Sequence, residues 1–183
     1  MLERLHKLAV CLDRMSEATG RAIAWLTLGT VLITFTVVIL RYAFQSGSIA
    51  LQELVSYLHA TVFMLGAAYT LKHDAHVRVD IFYRGFSPRT RAWIDLAGSV
   101  LLLLPVCLFI LLASRDYVAD AWSVMEGSGE AGGLDAVFLL KTAIPVMAGL
   151  LLLQGLSTVL HSLLLLNHWP PDAAGDSGPD REL

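Results

Sequence analysis

Charge is scarce in this chain. Of its 183 residues only 16% are Asp, Glu, Lys or Arg, whereas a soluble domain carries about 25%, so too few charged groups are present to coat a water-facing globule. Cysteine is nearly absent as well. Cys11 falls in an amphipathic stretch and Cys107 in the middle of an apolar run, which excludes a disulfide framework or a CxxC metal site. A basic excess is also missing: 13 Lys and Arg against 16 Asp and Glu give a net charge of −3, which provides no footprint for nucleic acid. Nor is there a GxSxG, HExxH or P-loop, and the isolated Ser, Asp and Glu residues share no face. The reading is of a non-enzyme, with no catalytic residues, no metal ligands and no cofactor.

What the chain does have is apolar length. Hydrophobic residues make up 56% of it, and they gather into four long segments at about 22–40, 54–71, 93–113 and 142–166. A helical crossing needs about 20 predominantly apolar residues, so the expectation is an all-α integral membrane protein with four transmembrane helices. The first segment is too long for a signal-peptide core and is followed by Arg41-Tyr42-Ala43-Phe44 in place of a small-residue cleavage site, so it reads as a retained anchor. Pro105 in the third segment predicts a kink, and the stripe Tyr117, Val118, Ala121, Trp122 and Met125 predicts that this helix continues past the bilayer until Gly127. At 25 residues, the fourth measures about 37 Å as a helix, more than the roughly 30 Å hydrocarbon core, and must tilt or protrude.

The flanking segments differ in kind. Within residues 1–20, Leu2, Leu5, Leu8, Ala9, Leu12 and Met15 fall at helical spacing opposite Glu3, Arg4, Lys7, Asp13, Arg14 and Glu17, which predicts an amphipathic helix lying in the membrane interface. Residues 21–166 form the four-helix membrane domain. The stretch 167–183 mixes Pro170, Pro171 and Pro179 with acidic residues and reads as a disordered acidic tail. Basic residues set the orientation. Arg4, Lys7, Arg14 and Arg21 precede span one, and Lys72, Arg78, Arg84, Arg89 and Arg91 lie between spans two and three, while only Arg41, Arg115 and Lys141 fall on the other side. By the positive-inside rule both termini are cytoplasmic.

Ionisable residues inside a membrane are functional candidates by default, yet no Lys, Arg, Asp or Glu lies near the middle of any span. Arg41 ends span one and Glu53 starts span two on the external side, which predicts an interfacial ion pair. Asp95, four residues after Arg91, predicts a local helical pair, and Gln154 is expected to bond to a neighbouring helix. His59 and His161 raise an alternative, a haem-binding membrane anchor of a respiratory complex. Counted along their helices, however, the two differ in depth by about 18 Å, too much for opposite faces of one haem. His73 and His76 lack further ligands for a zinc site.

From Gly66 the chain reads GAAYTLKHDAHVRVDIFYRGFSPRTRAWIDL. Together with Gln52-Glu53 opening span two, Ser128-Gly129-Glu130 in the acidic loop, Lys141 with Ile144-Pro145, and Gln154-Gly155 in span four, residues 20–165 resemble the small membrane subunit of tripartite ATP-independent periplasmic (TRAP) transporters, the DctQ-like family. The Gly-rich stretch Glu130 to Gly133 and the Pro-rich tail depart from that pattern. The resemblance implies a multi-pass protein of the bacterial inner membrane. It also implies a non-catalytic scaffold that packs against a large, DctM-like permease subunit and membrane lipid, in sodium-coupled uptake of an organic acid delivered by an extracytoplasmic solute-binding protein. Within HVRVD the apolar Val77 and Val79 alternate with Arg78 and Asp80, and Asp80 is placed for an i, i+4 pair with Arg84. Charged heads beside apolar anchors suit a membrane-surface or subunit contact, so His76, Arg78, Asp80 and Arg84 are the contact candidates.

Overall fold

The computed structural model describes residues 2–76, 83 and 85–167. These form α1 (Leu2–Ala43), α2 (Ile49–Lys72), α3 (Pro88–Gly98), a π-helical turn (Ser99–Leu103), α4 (Leu104–Ser123) and α5 (Val137–Leu166). Four helical units are long and apolar enough to cross a membrane: α1, α2, the continuous α3–α4 unit Pro88–Ser123, and α5. The regular structure of the described residues is all helical, and the protein is a multi-pass membrane protein.

Local chemistry sets several boundaries. The hydroxyl of Ser48 accepts the Leu51 N–H to start α2. Ser87 caps α3 through the Thr90 N–H, with Pro88 in the first turn where its missing donor does no harm. The disturbance expected at Pro105 takes the form of the π-helical turn just before it, closed by Leu104 N–H on the Ser99 carbonyl. A wider turn of this kind accommodates a proline inside a long helix. As expected from the stripe beyond span three, α4 runs on to Ser123 before Met125 turns the chain with a φ of 48°.

The amphipathic stretch 1–20 is not a separate helix. It continues without a break into the first apolar segment, making α1 42 residues long, about 63 Å at 1.5 Å per residue. Gly20 lies inside this helix, and Tyr69 packs where its side chain would be: a Cβ there would lie 2.2 Å from the ring. Part of the apolar stripe faces protein. Ala9 and Leu12 are buried against Leu160 of α5, with Leu5 beside them, while Leu8 and Met15 stay exposed.

The last helix, α5, is the hub, packing on α1, α2, α3 and α4, and α1 packs along α2. Its interior is built from small residues. Ala68, Ala92, Cys107, Ala121, Ala148 and Ser157 are buried, whereas Trp25 and Phe63 are about three-quarters exposed (74% and 76%). This inverts a water-soluble core for a physical reason. Lipid tails are as apolar as Leu, so helices gain by close approach and by polar bonds between them, and bulky apolar groups turn outward. Gly155 is one such approach, lying against Leu103 and Leu104.

Candidate functional site

Polar side chains concentrate at the two ends of the helical body. At the N-terminal end, Asp13 of α1 is the acceptor for three residues of α5. Ser157 Oγ lies 2.6 Å from Oδ1, Gln154 Nε2 3.2 Å from the same oxygen, and His161 Nε2 2.8 Å from Oδ2. One turn along, Ser16 Oγ donates to Gln154 Oε1 at 2.6 Å. Ser16, Gln154 and Ser157 are buried. The spacing explains why these residues meet: 13 and 16 share a face of α1, and 154, 157 and 161 share a face of α5. Burial works against the charge on Asp13, but the bonds from Ser157, His161 and Gln154 and the charge of His161 outweigh it, and its carboxyl is held below the usual range.

The seam continues toward α2. Glu17 accepts from Lys72 Nζ at 2.6 Å and Arg21 Nε at 2.9 Å, with His73 Nε2 at 3.4 Å. Lys72 and then Arg21 hold the Glu17 carboxyl below its ordinary range. Beside this seam lies a cavity of about 520 Å³ among α1, the end of α2, the start of α3 and the last turns of α5. On its α3 wall, Tyr83 Oη donates to Asp95 Oδ2 at 2.6 Å, and Arg91 Nε donates to the carbonyls of Tyr83 and Phe86. Thus Asp95 and Arg91 are linked through Tyr83, and the helical pair expected between them is not formed.

At the opposite end Glu53 reaches out of α2 into the loop between α4 and α5. Its carboxylate accepts from the Ser128 hydroxyl and, at 2.7 Å, from the Leu134 N–H. The expected pair with Arg41 is therefore corrected. The Leu134 backbone N–H first, and then Ser128, satisfy the Glu53 charge and hold its carboxyl low, while Arg41 lies exposed. The glycines make room: a Cβ on Gly133 would fall 2.4 Å from Ser128 Oγ and 2.8 Å from Glu53 Oε2, and Gly132 sits at φ +84°. The Gly-rich departure in this loop is thus the surface on which Glu53 closes. The ammonium of Lys141 pairs with Glu126 and lies 4.0 Å above the Tyr117 ring, with the Glu126 bond foremost in raising its pKa. Trp122 Nε1 donates to Thr142 at 2.8 Å and stacks edge-on against Phe138, tying α4 to α5.

Of the predicted contact residues, His76 is exposed after the end of α2, whereas Arg78, Asp80 and Arg84 lie outside the described residues. Gln154 makes the interhelical bonds expected of it. Asp13 and Ser128 were not foreseen as partners of anything, and His161 was weighed only as a haem ligand. The available signal was that Gln52-Glu53, Ser128-Gly129-Glu130 and Gln154-Gly155 all stood out as motifs without being joined in space. The haem alternative gains no support, since His161 is bonded to Asp13 and His59 lies exposed on α2. Compared with known protein families, residues 30–165 match the family described as tripartite ATP-independent periplasmic transporters, DctQ component. No curated protein matches the sequence.

Proposed function

Because the chain belongs to the DctQ component family of TRAP transporters, the small membrane subunits that work with a large permease subunit and a periplasmic binding protein, we propose that it is a fixed scaffold. It holds the large, DctM-like subunit in the bacterial inner membrane during sodium-coupled uptake of an organic acid brought by the binding protein. The observation that carries this reading is the use made of the polar groups. Asp13, Ser16, Gln154, Ser157 and His161 bond helix to helix, and Glu53, Ser128 and Leu134 bond helix to loop. Such groups stiffen one body. The outward apolar faces then serve lipid and the partner, which must be met by shape and small residues.

The test is reconstitution. Large subunit and binding protein without this chain should give no uptake, while the binding protein keeps its substrate affinity because it folds separately. Full transport without this chain would end the scaffold reading. Placement of both termini in the cytoplasm is checked by labelling. In a chain with Cys11 and Cys107 replaced, a cysteine at exposed Gly129 should react with an impermeant reagent from outside, and one at exposed Arg89 only after permeabilisation. Reversed labelling would overturn the orientation. Substituting Arg78 or Asp80 should lower the yield of complex with the large subunit and leave ion stoichiometry unchanged.

A further inference from the structure

The cavity beside the seam has a volume of about 520 Å³, within the range of small-ligand sites, and walls of unusual composition. It lies where the apolar lengths of α2 and α5 end, at Leu71 and Leu165, and Lys72, Arg91, Asp13, Asp95 and His161 also line it. That is the level at which hydrocarbon gives way to headgroups. Bonding capacity is left over there. Lys72 uses one N–H on Glu17, His161 uses Nε2 on Asp13, and Asp95 uses Oδ2 on Tyr83, so further ammonium donors, a second ring nitrogen and a second carboxylate oxygen remain. The charges decide the ligand class. Lys72 thus has ammonium donors to spare and Asp95 a carboxylate oxygen, so a ligand that carries charge of only one sign leaves one of the two unmet.

We propose that this cavity binds an amine-phosphate zwitterion, the phosphoethanolamine group, with the ammonium at Asp95, the phosphate at Lys72 and any acyl chains leaving past Leu71 and Leu165. It goes beyond the scaffold reading and does not rest on it. So placed, the ligand fills the space between α3 and α1, both of which pack on α5.

Two sources share this chemistry, phosphatidylethanolamine and a free phosphoethanolamine, and the test separates them. The full chain, purified in mild detergent and delipidated, is incubated with phosphatidylethanolamine, phosphatidylcholine or phosphatidylglycerol, and bound lipid is read by native mass spectrometry. Phosphatidylethanolamine should be retained at least about tenfold over the other two, since one charge-assisted hydrogen bond is lost with each of them. Thr158 lines the cavity and bonds only within its own helix, to the Gln154 carbonyl. Thr158→Leu should therefore fill the site and remove the retained lipid while helicity and monodispersity stay unchanged. Asp95→Asn, which keeps an acceptor for Tyr83, should abolish the preference over phosphatidylcholine. A rise in melting temperature with soluble phosphoethanolamine alone assigns the site to the free compound; a rise with the lipid only assigns it to the bilayer. Equal retention of the three lipids, retention unmoved by both variants, or no stabilisation by either source would overturn the proposal.

Discussion

The two polar ends of this protein hold their neighbours by different means. At the N-terminal end, side chains bond to side chains across helices: Asp13 and Ser16 on α1 meet Gln154, Ser157 and His161 on α5. At the other end, Glu53 grips a Gly-rich loop partly through the backbone N–H of Leu134. A seam between helices fixes the angle at which two spans cross, so losing it loosens the whole body. A carboxylate on a loop fixes only that loop. The difference predicts a global effect for one set of variants and a local effect for the other.

The largest effect should come from Asp13→Ala, which removes the shared acceptor of Gln154, Ser157 and His161 at once and leaves Ser157 only the Ala9 carbonyl at 3.2 Å. We expect a loss of about 2–3 kcal/mol, read as a lower melting temperature of the detergent-solubilised chain; a change confined to residues 2–12 would break the comparison. Gly20→Ala follows, at about 2 kcal/mol by overpacking. Its Cβ meets the base of the Tyr69 side chain, with Cβ at 2.7 Å and Cγ at 2.3 Å, and a ring held so close to its own backbone has little freedom to move aside. An unchanged melting temperature would show that α1 and α2 slide freely past each other.

Glu53→Gln should act locally. Hydrogen exchange at the Leu134 amide should lose its protection while the melting temperature holds. Acid sharpens the same contrast. Asp13 and Glu53 both have lowered folded-state pKa values, so the stability each contributes is present above its unfolded value and is lost as pH falls through the folded one. Below the usual carboxylate range, exchange should rise at the Leu134 amide from release of Glu53, and along α1 and α5 together from release of Asp13. Lys141 runs the other way: its pKa is raised, so its pairing with Glu126 is present below the unfolded value and lost as pH climbs through the folded one. The smallest effect belongs to Gly155→Ala, under about 1 kcal/mol, because the atom in its way is the end of the Leu103 side chain, which can rotate. A loss as large as that of Gly20→Ala would mean that Leu103 is fixed by the π-helical turn.

The spans were legible because a 20-residue apolar run has few alternatives in lipid. Segments 54–71 and 142–166 fall inside α2 and α5, and Gln154 was readable because a lone amide among Leu residues must find a partner on another helix. The continuity of α1 was not legible. A change from amphipathic to apolar pattern at residue 20 reads as a boundary, and the packing of Tyr69, far along the chain, against Gly20 leaves no mark in local spacing. The partner of Glu53 was misread for a related cause. Arg41 is nearer in sequence, but Ser128 and Leu134 are 75 and 81 residues away, and local spacing carries no information at that separation. The motifs around Glu53, Ser128 and Gln154 marked the right residues without stating which of them touch.

The Asp13 bonds join residues 141, 144 and 148 positions apart, and this orders events during synthesis. The ribosome delivers α1 first and its partner helix last. At about 5–20 residues per second, roughly 7–30 s pass between the appearance of Asp13 and that of the side chains that bond it. Throughout that interval the polar face of the first helix has none of these α5 partners. A nascent chain stalled before residue 154 therefore leaves both Asp13 and Ser16 without the side chains that satisfy them in the finished protein.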